Sequence, residues 1–194
     1  MPKNKLIVAI DEVGRGAVAG PLVLGAVFAE NNQKNKKLLK GIKDSKKLTF
    51  NQRIAWFKKL KKSSLKFYTA FVSNKVIDKK GMAQAIRIGI NKLFKKIKTK
   101  PDLVLLDGGL KAPKNFRQKT IIKGDEKNPF IAAASIYAKV KRDLYMIELD
   151  KKFNYSFKDH KGYGTKKHFE LILKNGISKI HRQSFLGNLN IVKK

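Results

Sequence analysis

Short apolar runs alternate with longer segments of helical periodicity along the chain, which is the pattern of an α/β fold. The apolar runs predict five strands, at residues 5–10, 22–29, 65–72, 103–106 and 120–122. Apart from Lys5, the runs at 5–10 and 103–106 are continuously apolar rather than alternating, which is typical of strands buried on both faces. We therefore expect these two strands to lie inside the protein, covered on both sides.

Helical patterns fill most of the intervals between the strands and follow the last of them. They predict helices at 51–61, between Gly81 and Pro101, from Pro129 onward, and at 166–174. Thr49 and Gln52 have the spacing of a capping box, and Asn128 is placed to cap the helix that Pro129 starts. The buried stripe of that helix is predicted as Ile136, Val140, Leu144 and Ile147.

The order of elements favours a single α/β domain, with a mixed sheet covered by helices. No repeat or long linker divides the chain. We place the domain at residues 1–154 and a basic, loop-rich C-terminal extension packed on it at 155–194. The lysine-rich residues 31–47 are predicted to be a loop around one helical turn at 36–39.

The charge of the chain is far from balanced. Its 194 residues include 45 Lys and Arg against 14 Asp and Glu, a formal net charge of +31. Such an excess indicates a polyanionic partner, most simply nucleic acid, and the alternative is a lysine-rich surface that is merely solvated. The chain has no cysteine, which excludes disulfides, a thiolate nucleophile and a zinc–thiolate site.

Apolar stretches long enough for a membrane are absent from the sequence. None approaches the ~18 apolar residues of a membrane span. The first apolar run, at 6–10, is too short for the core of a signal peptide and ends in acids. We expect a monomeric protein of the cytoplasm without membrane contact.

Acidic residues follow three of the predicted strands. Asp11 and Glu12 come directly after the first strand, Asp107 follows the fourth, and Asp125 lies shortly after the fifth. Ligand sites in α/β sheets gather at the carboxyl ends of strands, so we expect these four carboxylates to converge. Each of them has an alternative role as a turn residue or a helix cap.

Four converging carboxylates would repel one another, and a bound divalent cation is the usual remedy. Oxygen ligands suit a hard ion, Mg²⁺ or Mn²⁺. Two such ions promote in-line attack of water on a phosphodiester, and a basic surface would deliver that substrate. The sequence therefore predicts metal-dependent hydrolysis of nucleic acid. The competing hypothesis is a non-catalytic basic nucleic-acid-binding protein.

A glycine-rich turn follows the first pair of acids. Gly14, Gly16 and Ala19 satisfy the loose G-x-G-x-x-G/A fingerprint of dinucleotide binding, but Pro21 and an apolar run follow where that motif requires a helix. We favour close approach of the turn to a sugar-phosphate, with Arg15 as a fork for phosphate or a ribose 2′-hydroxyl. The alternative is a tight turn in which the glycines only supply positive φ.

Six segments spread over most of the chain form a recognisable set of motifs. They are AIDEVGRGAVAGPLVLGAV, DSKKLT, LVLLDGG, KGDEKNPFIAAASIYAKVKRD, HKGYGTKKH and HRQSF. Together they resemble the prokaryotic ribonuclease HII family. The G-R-G form of the turn favours this family over the related ribonuclease HIII, which is expected to carry G-T-G and an additional N-terminal domain.

The resemblance implies a ribonuclease H-like fold, with a mixed five-stranded sheet flanked by helices and a helical or loop-rich C-terminal extension. It also implies endonucleolytic cleavage of the RNA strand of RNA/DNA hybrids and incision 5′ to single ribonucleotides embedded in duplex DNA. The products would carry 3′-hydroxyl and 5′-phosphate ends, and the cofactors would be two Mg²⁺ or Mn²⁺ ions. The sequence does not reveal whether a sliding clamp binds the chain.

The resemblance further implies roles for individual residues. The four catalytic and metal-binding acids of the family map onto Asp11, Glu12, Asp107 and Asp125. The loop that senses the ribose 2′-hydroxyl at the RNA-to-DNA junction maps onto Gly14, Arg15 and Gly16. The junction-sensing tyrosine maps onto Tyr163, whose ring on the following deoxyribose would clash with a 2′-hydroxyl.

Further substrate contacts are expected from cationic side chains. Lys46 and Lys47 are predicted to contact the nucleic-acid backbone, and solvated surface lysines are the alternative. Lys139 or Arg142 is expected near phosphate or the carboxylates. Asp143 lies mid-helix, four residues after Lys139, so an ion pair with Lys139 is its expected role.

Two further expectations concern histidines and one glycine. His160, His168 and His181 are expected to be structural or close to phosphate rather than metal ligands. The resemblance leads us to expect Asn in many members of the family at the position of Gly109. The glycine puts a side-chain hydrogen bond beside Asp107 in doubt, but not the metal site.

Overall fold

The computed structural model describes residues 5–187, so the end of the predicted C-terminal extension, 188–194, lies outside the described residues. Five strands form one sheet in the order β3-β2-β1-β4-β5. They are β1 (Leu6–Val13), β2 (Leu22–Glu30), β3 (Lys66–Val72), β4 (Leu103–Asp107) and β5 (Gln118–Ile121). β2 runs antiparallel to β1 and β3, whereas β4 runs parallel to β1 and β5. The predicted mixed five-stranded sheet is confirmed.

Helices cover both faces of the sheet. They are α1 (Gln33–Leu38), α2 (Phe50–Lys61), α3 (Asn74–Lys96), α4 (Gly124–Lys127), α5 (Pro129–Asp150), α6 (Phe157–His160) and α7 (Lys166–Asn175). The capping box at Thr49 and Gln52 is present, and the Asn128 side chain accepts from two amides at the start of α5. No helix between residues 5 and 187 is both long and apolar enough to cross a membrane.

Strand β1 shows how the sheet divides the core. Val8 and Ile10 belong to the apolar cluster formed with α3, whereas Ile7 and Ala9 belong to the cluster formed with α2 and α5. All four side chains are fully buried. The uniformly apolar run that predicted a strand covered on both faces is thereby explained.

Several predicted boundaries differ from the structure. Helix α1 begins at Gln33, ahead of the turn predicted at 36–39, because the Asn32 side chain accepts from the Asn35 amide and caps it. The helical pattern that starts at Gly81 is preceded by a further helical segment from Asn74, and Gly81 forms the kink between them at φ 76°. Strand β5 covers 118–121 rather than 120–122.

The predicted buried stripe of α5 is wrong at one position. Leu144 is 40% exposed, and Met146 is fully buried instead. Met146 contributes to a third apolar cluster, formed with Tyr155, Phe157 and other residues near the C-terminus. In the last turns of α5 the buried side chains therefore pack against the C-terminal segment instead of the sheet.

Helix α5 lies unusually close to β2 at Gly25. A Cβ atom added there would come within 2.5 Å of the Ala134 carbonyl oxygen and 2.8 Å of the Ala138 Cβ. Gly25 is also the register partner of Asp11 across the β1–β2 ladder. The missing side chain thus lets α5 approach the sheet beside the first of the candidate acids.

Gly25→Ala should destabilise the protein, because the added methyl group meets a backbone carbonyl that cannot move aside. We expect a loss of about 1–3 kcal/mol in the free energy of unfolding, measured by urea denaturation. Gly109→Ala is the matched control, since a Cβ at Gly109 meets nothing within 4 Å. Equal stability of the two variants would contradict the close approach.

Candidate active site

Three carboxylates lie together at the carboxyl ends of two neighbouring strands. Asp11 and Glu12 lie near the end of β1, and Asp107 ends β4. The parallel register pairs Ile10 with Leu106, which brings Asp11 and Asp107 side by side. One oxygen atom from each of the three carboxylates lies within 4.8 Å of the others. The predicted convergence is therefore observed for these three acids.

Asp11 is the buried member of this carboxylate group, with 5% of its surface exposed. Burial raises the pKa of Asp11 well above its usual range, and the nearby Glu12 and Asp107 carboxylates raise it further. A hydrogen bond from the Ser135 side chain opposes this rise. The Ser135 hydroxyl lies 2.9 Å from the Ser45 hydroxyl, so α5 and the segment before α2 together support Asp11.

Glu12 faces the glycine-rich turn. Burial and the Asp107 carboxylate raise the pKa of Glu12, whereas the Arg15 guanidinium lowers it. The Arg15 Nη1 and Glu12 Oε1 atoms are 3.8 Å apart. The guanidinium predicted to contact a sugar-phosphate therefore lies beside a member of the carboxylate group.

Asp107 is held by the backbone that follows β5. Its Oδ1 accepts a hydrogen bond from the Gly124 amide at 2.6 Å. A Cβ at Gly124 would come within 3.1 Å of the same oxygen and 2.7 Å of the Ile131 side chain, so the absence of a side chain permits this approach. The backbone amide orients Asp107 although Gly109 offers no side chain beside it.

Asp125 lies in the short helix α4 rather than at a strand end, and it is not part of the carboxylate group of Asp11, Glu12 and Asp107. Burial raises the pKa of Asp125 against the opposing effect of Lys46, whose Nζ is 3.4 Å from Asp125 Oδ2. Asp107 also contributes to this rise. Asp125 therefore borders the group of three.

Lys46 and Lys47 extend this edge of the site. Lys47 Nζ lies 3.3 Å from Glu126 Oε2, and both lysine side chains are more than half exposed. Burial disfavours the charge of Lys46, but the carboxylates of Asp125, Asp44 and Asp11 together outweigh it, so the pKa of Lys46 is raised. Both cations remain open to solvent beside the acids, and their contact with a nucleic-acid backbone stays a prediction.

The glycine-rich turn is joined to the segment that carries Tyr163. An isolated β-bridge pairs Ala17 with Tyr163. The amides of Val18 and Ala19 both donate to the Gly162 carbonyl, at 2.9 and 3.0 Å. The turn at 14–16 and the candidate junction-sensing tyrosine are therefore brought to one place.

The structure corrects the expectation that Arg142 contacts phosphate. Arg142 is fully buried, and its guanidinium donates to the carbonyl oxygens of Pro21, Ala19 and Lys161 at 2.9, 3.2 and 2.9 Å. A Cβ at Gly14 would come within 2.2 Å of Arg142 Nε, and Gly14 has a φ of 86°. Arg142 therefore supports the backbone of the turn from the buried side, and its side chain leaves room only for glycine at position 14.

Lys139 forms the ion pair expected from its spacing to Asp143. The Lys139 Nζ and Asp143 Oδ1 atoms are 2.8 Å apart, and Arg53 lies 3.9 Å from the other oxygen of Asp143. Lys139 Nζ is also 5.4 Å from the centre of the Tyr163 ring. Lys139 thus lies beside Tyr163, and its contact with substrate stays a prediction.

The three histidines lie behind Tyr163 and away from the carboxylate group. The rings of His160 and His168 stack at 4.1 Å, and His168 Nε2 lies 3.1 Å from His181 Nε2. Burial lowers the pKa of both His168 and His181 to about 4. The ring nitrogens of all three histidines are engaged with backbone groups or with one another, which agrees with a structural role, and their not being metal ligands stays a prediction.

Sequence reasoning missed three residues around the site. Ser45 and Ser135 support Asp11, and Arg182 donates from its Nη1 to the Arg15 carbonyl at 2.9 Å. Ser45 lies in the DSKKLT segment and Arg182 in the HRQSF segment. These motifs were the available signal, but neither spacing nor composition relates a serine in one segment to an aspartate in another.

The donor set fits a hard divalent cation. Asp11, Glu12 and Asp107 offer carboxylate oxygens that can converge on one ion, and the chain has no thiolate. Burial and mutual repulsion already raise the pKa of Asp11 and Glu12. A cation among these oxygens would offset that repulsion and keep the carboxylates ionised.

The sheet order and the placement of the acids define the class of protein, a nuclease of the ribonuclease H-like fold. The structure of the PCNA:RNase HII complex from Archaeoglobus fulgidus matches with a TM-score of 0.78 and 27% identity, covering 97% of both chains. Ribonuclease H2 from Pyrococcus horikoshii matches with a TM-score of 0.73 and 28% identity, covering 92% of this chain and 93% of the other.

The sequence comparisons give the family. The sequence model of Ribonuclease HII matches residues 8–187. The Ribonuclease HII of Caldicellulosiruptor bescii is 42% identical over 186 residues, which cover 95% of this chain and 88% of that protein. The chain therefore belongs to the ribonuclease HII family, as its motifs predicted. It is a ribonuclease H, a divalent-metal-dependent hydrolase of the RNA strand of RNA/DNA hybrids.

Asp107→Asn should change the response of the protein to metal ions. Asn keeps an oxygen that can accept from the Gly124 amide but removes one of the repelling charges. In EDTA we expect the variant to unfold at a temperature equal to or above that of the wild type, measured by scanning fluorimetry. Mn²⁺ should raise the unfolding temperature of the wild type more than that of the variant.

Asp102→Asn is the matched control for this measurement. Asp102 lies before the other end of β4, where it accepts from the Leu6 amide at 2.8 Å. It should therefore keep the full response to Mn²⁺. An equal response in Asp107→Asn would show that Asp107 does not hold the ion.

Proposed function

We propose that the enzyme cleaves the RNA strand of hybrids and also incises 5′ to single ribonucleotides embedded in duplex DNA, using two Mg²⁺ or Mn²⁺ ions. The products would carry 3′-hydroxyl and 5′-phosphate ends. The observation that carries this proposal is the position of the carboxylate group of Asp11, Glu12 and Asp107 directly beside the glycine-rich turn. Chemistry on a phosphate and recognition of the adjacent sugar would then occur within a few ångströms.

Asp11, Glu12, Asp107 and Asp125 are the residues that we propose hold the metal. When bound, the ions supply an activated water and stabilise the leaving oxygen. The chain contributes the orientation of the acids, through Ser135 at Asp11 and the Gly124 amide at Asp107. Asp125 would join them once Lys46 turns outward to a phosphate, because the two side chains now pair across 3.4 Å.

The glycine-rich turn and Tyr163 are the residues that we propose select the sugar. Gly16 has no atom within 4 Å of the place where a Cβ would stand, so the backbone is open there to a ribose. Arg15 Nη1 is 3.8 Å from Glu12, and the Arg15 side chain is 65% exposed. The Tyr163 ring would stack on the next deoxyribose and exclude a 2′-hydroxyl.

Lys46, Lys47 and Lys139 are proposed as contacts to the nucleic-acid backbone. We also propose that the extension at 155–194 contributes to substrate binding, since it carries Tyr163 and is bonded to the turn. The Archaeoglobus fulgidus relative was solved with PCNA. A sliding clamp, the monomeric state and the cytoplasmic location of this chain remain predictions.

The first test uses a DNA duplex that contains one ribonucleotide. We expect a nick 5′ to the ribonucleotide with Mg²⁺ or Mn²⁺ and no product in EDTA. Asp107→Asn should abolish the nick but leave hybrid binding largely intact, because it removes a metal ligand rather than a phosphate contact. Absence of the metal-dependent nick in the wild type would overturn the proposal, and loss of binding in the variant would make Asp107 structural.

Arg15→Ala should weaken the choice of sugar. We define junction preference as kcat/KM for the single-ribonucleotide duplex divided by kcat/KM for the all-DNA duplex of the same sequence. We expect junction preference to fall about tenfold. A hydrogen bond donated by a charged group contributes ~1.5 kcal/mol, which corresponds to a factor of that size. Arg87→Ala removes the same charge from an exposed position on α3 and should leave junction preference unchanged. An unchanged preference in Arg15→Ala would refute its sensing role.

A further inference from the structure

His181 and Arg182 are consecutive residues of the HRQSF segment, and no step of the proposed function uses them. Both are essentially buried, with exposures of 1% and 0%. Their side chains lead to two different places in the site. Arg182 reaches the backbone of Arg15, and His181 reaches the backbone of Tyr163 through His168.

Arg182 holds the glycine-rich turn at two points. Its Nε donates to the Gly20 carbonyl at 3.0 Å, and its Nη1 donates to the Arg15 carbonyl at 2.9 Å. Its own amide donates to the Val18 carbonyl at 2.8 Å. The guanidinium therefore spans the turn from Arg15 to Gly20 and fixes the distance between them.

These contacts leave the charge of Arg182 without a carboxylate partner among the described residues. Burial, together with the neighbouring Arg142 cation, lowers the pKa of Arg182 to about 9. A buried guanidinium is costly unless its donors are used. An apolar side chain could fill the same volume at lower cost, but it could not hold two carbonyl oxygens.

The hydrogen bonds around His181 determine the position of every proton in the histidine chain. The Ser178 amide can only donate, so His181 Nδ1, at 3.0 Å from it, is an acceptor. Neutral His181 then carries its proton on Nε2 and donates it to His168 Nε2 at 3.1 Å. His168 therefore carries its proton on Nδ1 and donates it to the Tyr163 carbonyl at 2.9 Å.

His160 makes the same kind of hydrogen bonds, and one of them is to Gly162, the residue before Tyr163. The Gly162 amide donates to His160 Nδ1 at 3.2 Å, so His160 donates from Nε2 to the Tyr155 carbonyl at 2.7 Å. Its ring stacks on His168. A second proton on any of these neutral rings would place two donors against each other, and their buried setting lowers the pKa of all three.

We propose that His181 and Arg182 are positioning residues for the recognition of the ribose, with Arg182 fixing the backbone of Arg15 and His181 fixing that of Tyr163 through His168. The inference rests on the proposed function, in which Arg15 and Tyr163 read neighbouring sugars. Two consecutive residues set both sensing groups, so the spacing between these groups is determined by one short piece of backbone.

Arg182→Lys tests the first half of this proposal. Lysine retains the charge but cannot bridge two carbonyl oxygens in the fixed geometry of a guanidinium. Junction preference should fall between about ten- and hundredfold, because misplacing a group by about 1 Å can cost that much. kcat on the continuous hybrid should change less than threefold, since the carboxylate group is not touched.

Asn175→Ala is the matched control for a general loosening of the C-terminal segment. It removes the side-chain amide that donates to the Asn154 carbonyl at 2.7 Å, a contact that involves neither the histidine chain nor a sensing residue. We expect it to lower the unfolding temperature and leave junction preference unchanged. A similar loss of preference in Asn175→Ala and Arg182→Lys would overturn a specific role for Arg182.

A pair of substitutions at His181 tests the second half. The amide nitrogen of Gln can occupy the place of His Nε2 and still donate to His168, whereas Asn is one methylene shorter and cannot reach it. Because Tyr163 reads the following deoxyribose, the readout here is kcat/KM for the single-ribonucleotide duplex divided by kcat/KM for a continuous RNA/DNA hybrid. His181→Gln should retain most of this preference, and His181→Asn should lose between about ten- and hundredfold of it. The reverse order, or equal preference in both variants, would overturn the chain from His181 to Tyr163.

The positions of the protons can be measured without any activity. Nitrogen-15 correlation spectra of the wild-type protein at pH 7 should show His168 protonated on Nδ1 and His181 on Nε2. His168 protonated on Nε2 would overturn the chain even where variants fail to fold. Wild-type enzyme without junction preference would instead refute the proposed function, whereas preference lost in Arg15→Ala but kept in Arg182→Lys would refute only this inference.

Discussion

The central constraint in the structure is the close placement of three mutually repelling carboxylates at the ends of β1 and β4. The buried parallel register places Asp11 beside Asp107, and burial raises the pKa of Asp11. Separation would relieve the repulsion, but the register cannot shift without moving apolar side chains out of the core. The close approach of α5 at Gly25 and the amide of Gly124 add to this constraint. The fold thus stores an unfavourable charge arrangement that a divalent cation would relieve.

The β1–β2 connection links this charge arrangement to the residues proposed to select the substrate. The connection begins beside Glu12 and continues into the glycine-rich turn, which buried arginines hold by its carbonyl oxygens. Arg142 comes from α5, the helix that also supports Asp11, while Arg182 comes from the C-terminal segment. A displacement of α5 would therefore move the supports of both Asp11 and the glycine-rich turn. The proposed chemistry and the proposed sugar recognition would therefore share their structural supports as well as their location.

Much of this arrangement could be predicted from sequence, because it is encoded locally. Apolar runs followed by acids located β1 and β4, and the capping residues Thr49 and Asn128 located two helices. The failures concern side chains whose partners are distant in sequence. Arg142 looked like a phosphate ligand because a charged residue on a helix is normally exposed. Only the tertiary structure brings three carbonyl oxygens around it, and only packing beyond the sheet explains why Leu144 is exposed.

The chain as a whole is positively charged, whereas the carboxylate group is negatively charged, and the two would act on a nucleic acid at different distances. A net charge of +31 attracts a polyanion from a distance, although at physiological salt that attraction is screened beyond about 8 Å. Within the site the sign reverses, because the nearest groups to a phosphate would be Asp11, Glu12 and Asp107. A phosphodiester can approach them closely only with cations between, so the proposed metal ions would serve the final approach as well as the chemistry. Lys46, which is exposed and paired with Asp125, lies at the boundary between the positively charged surface and the acidic site.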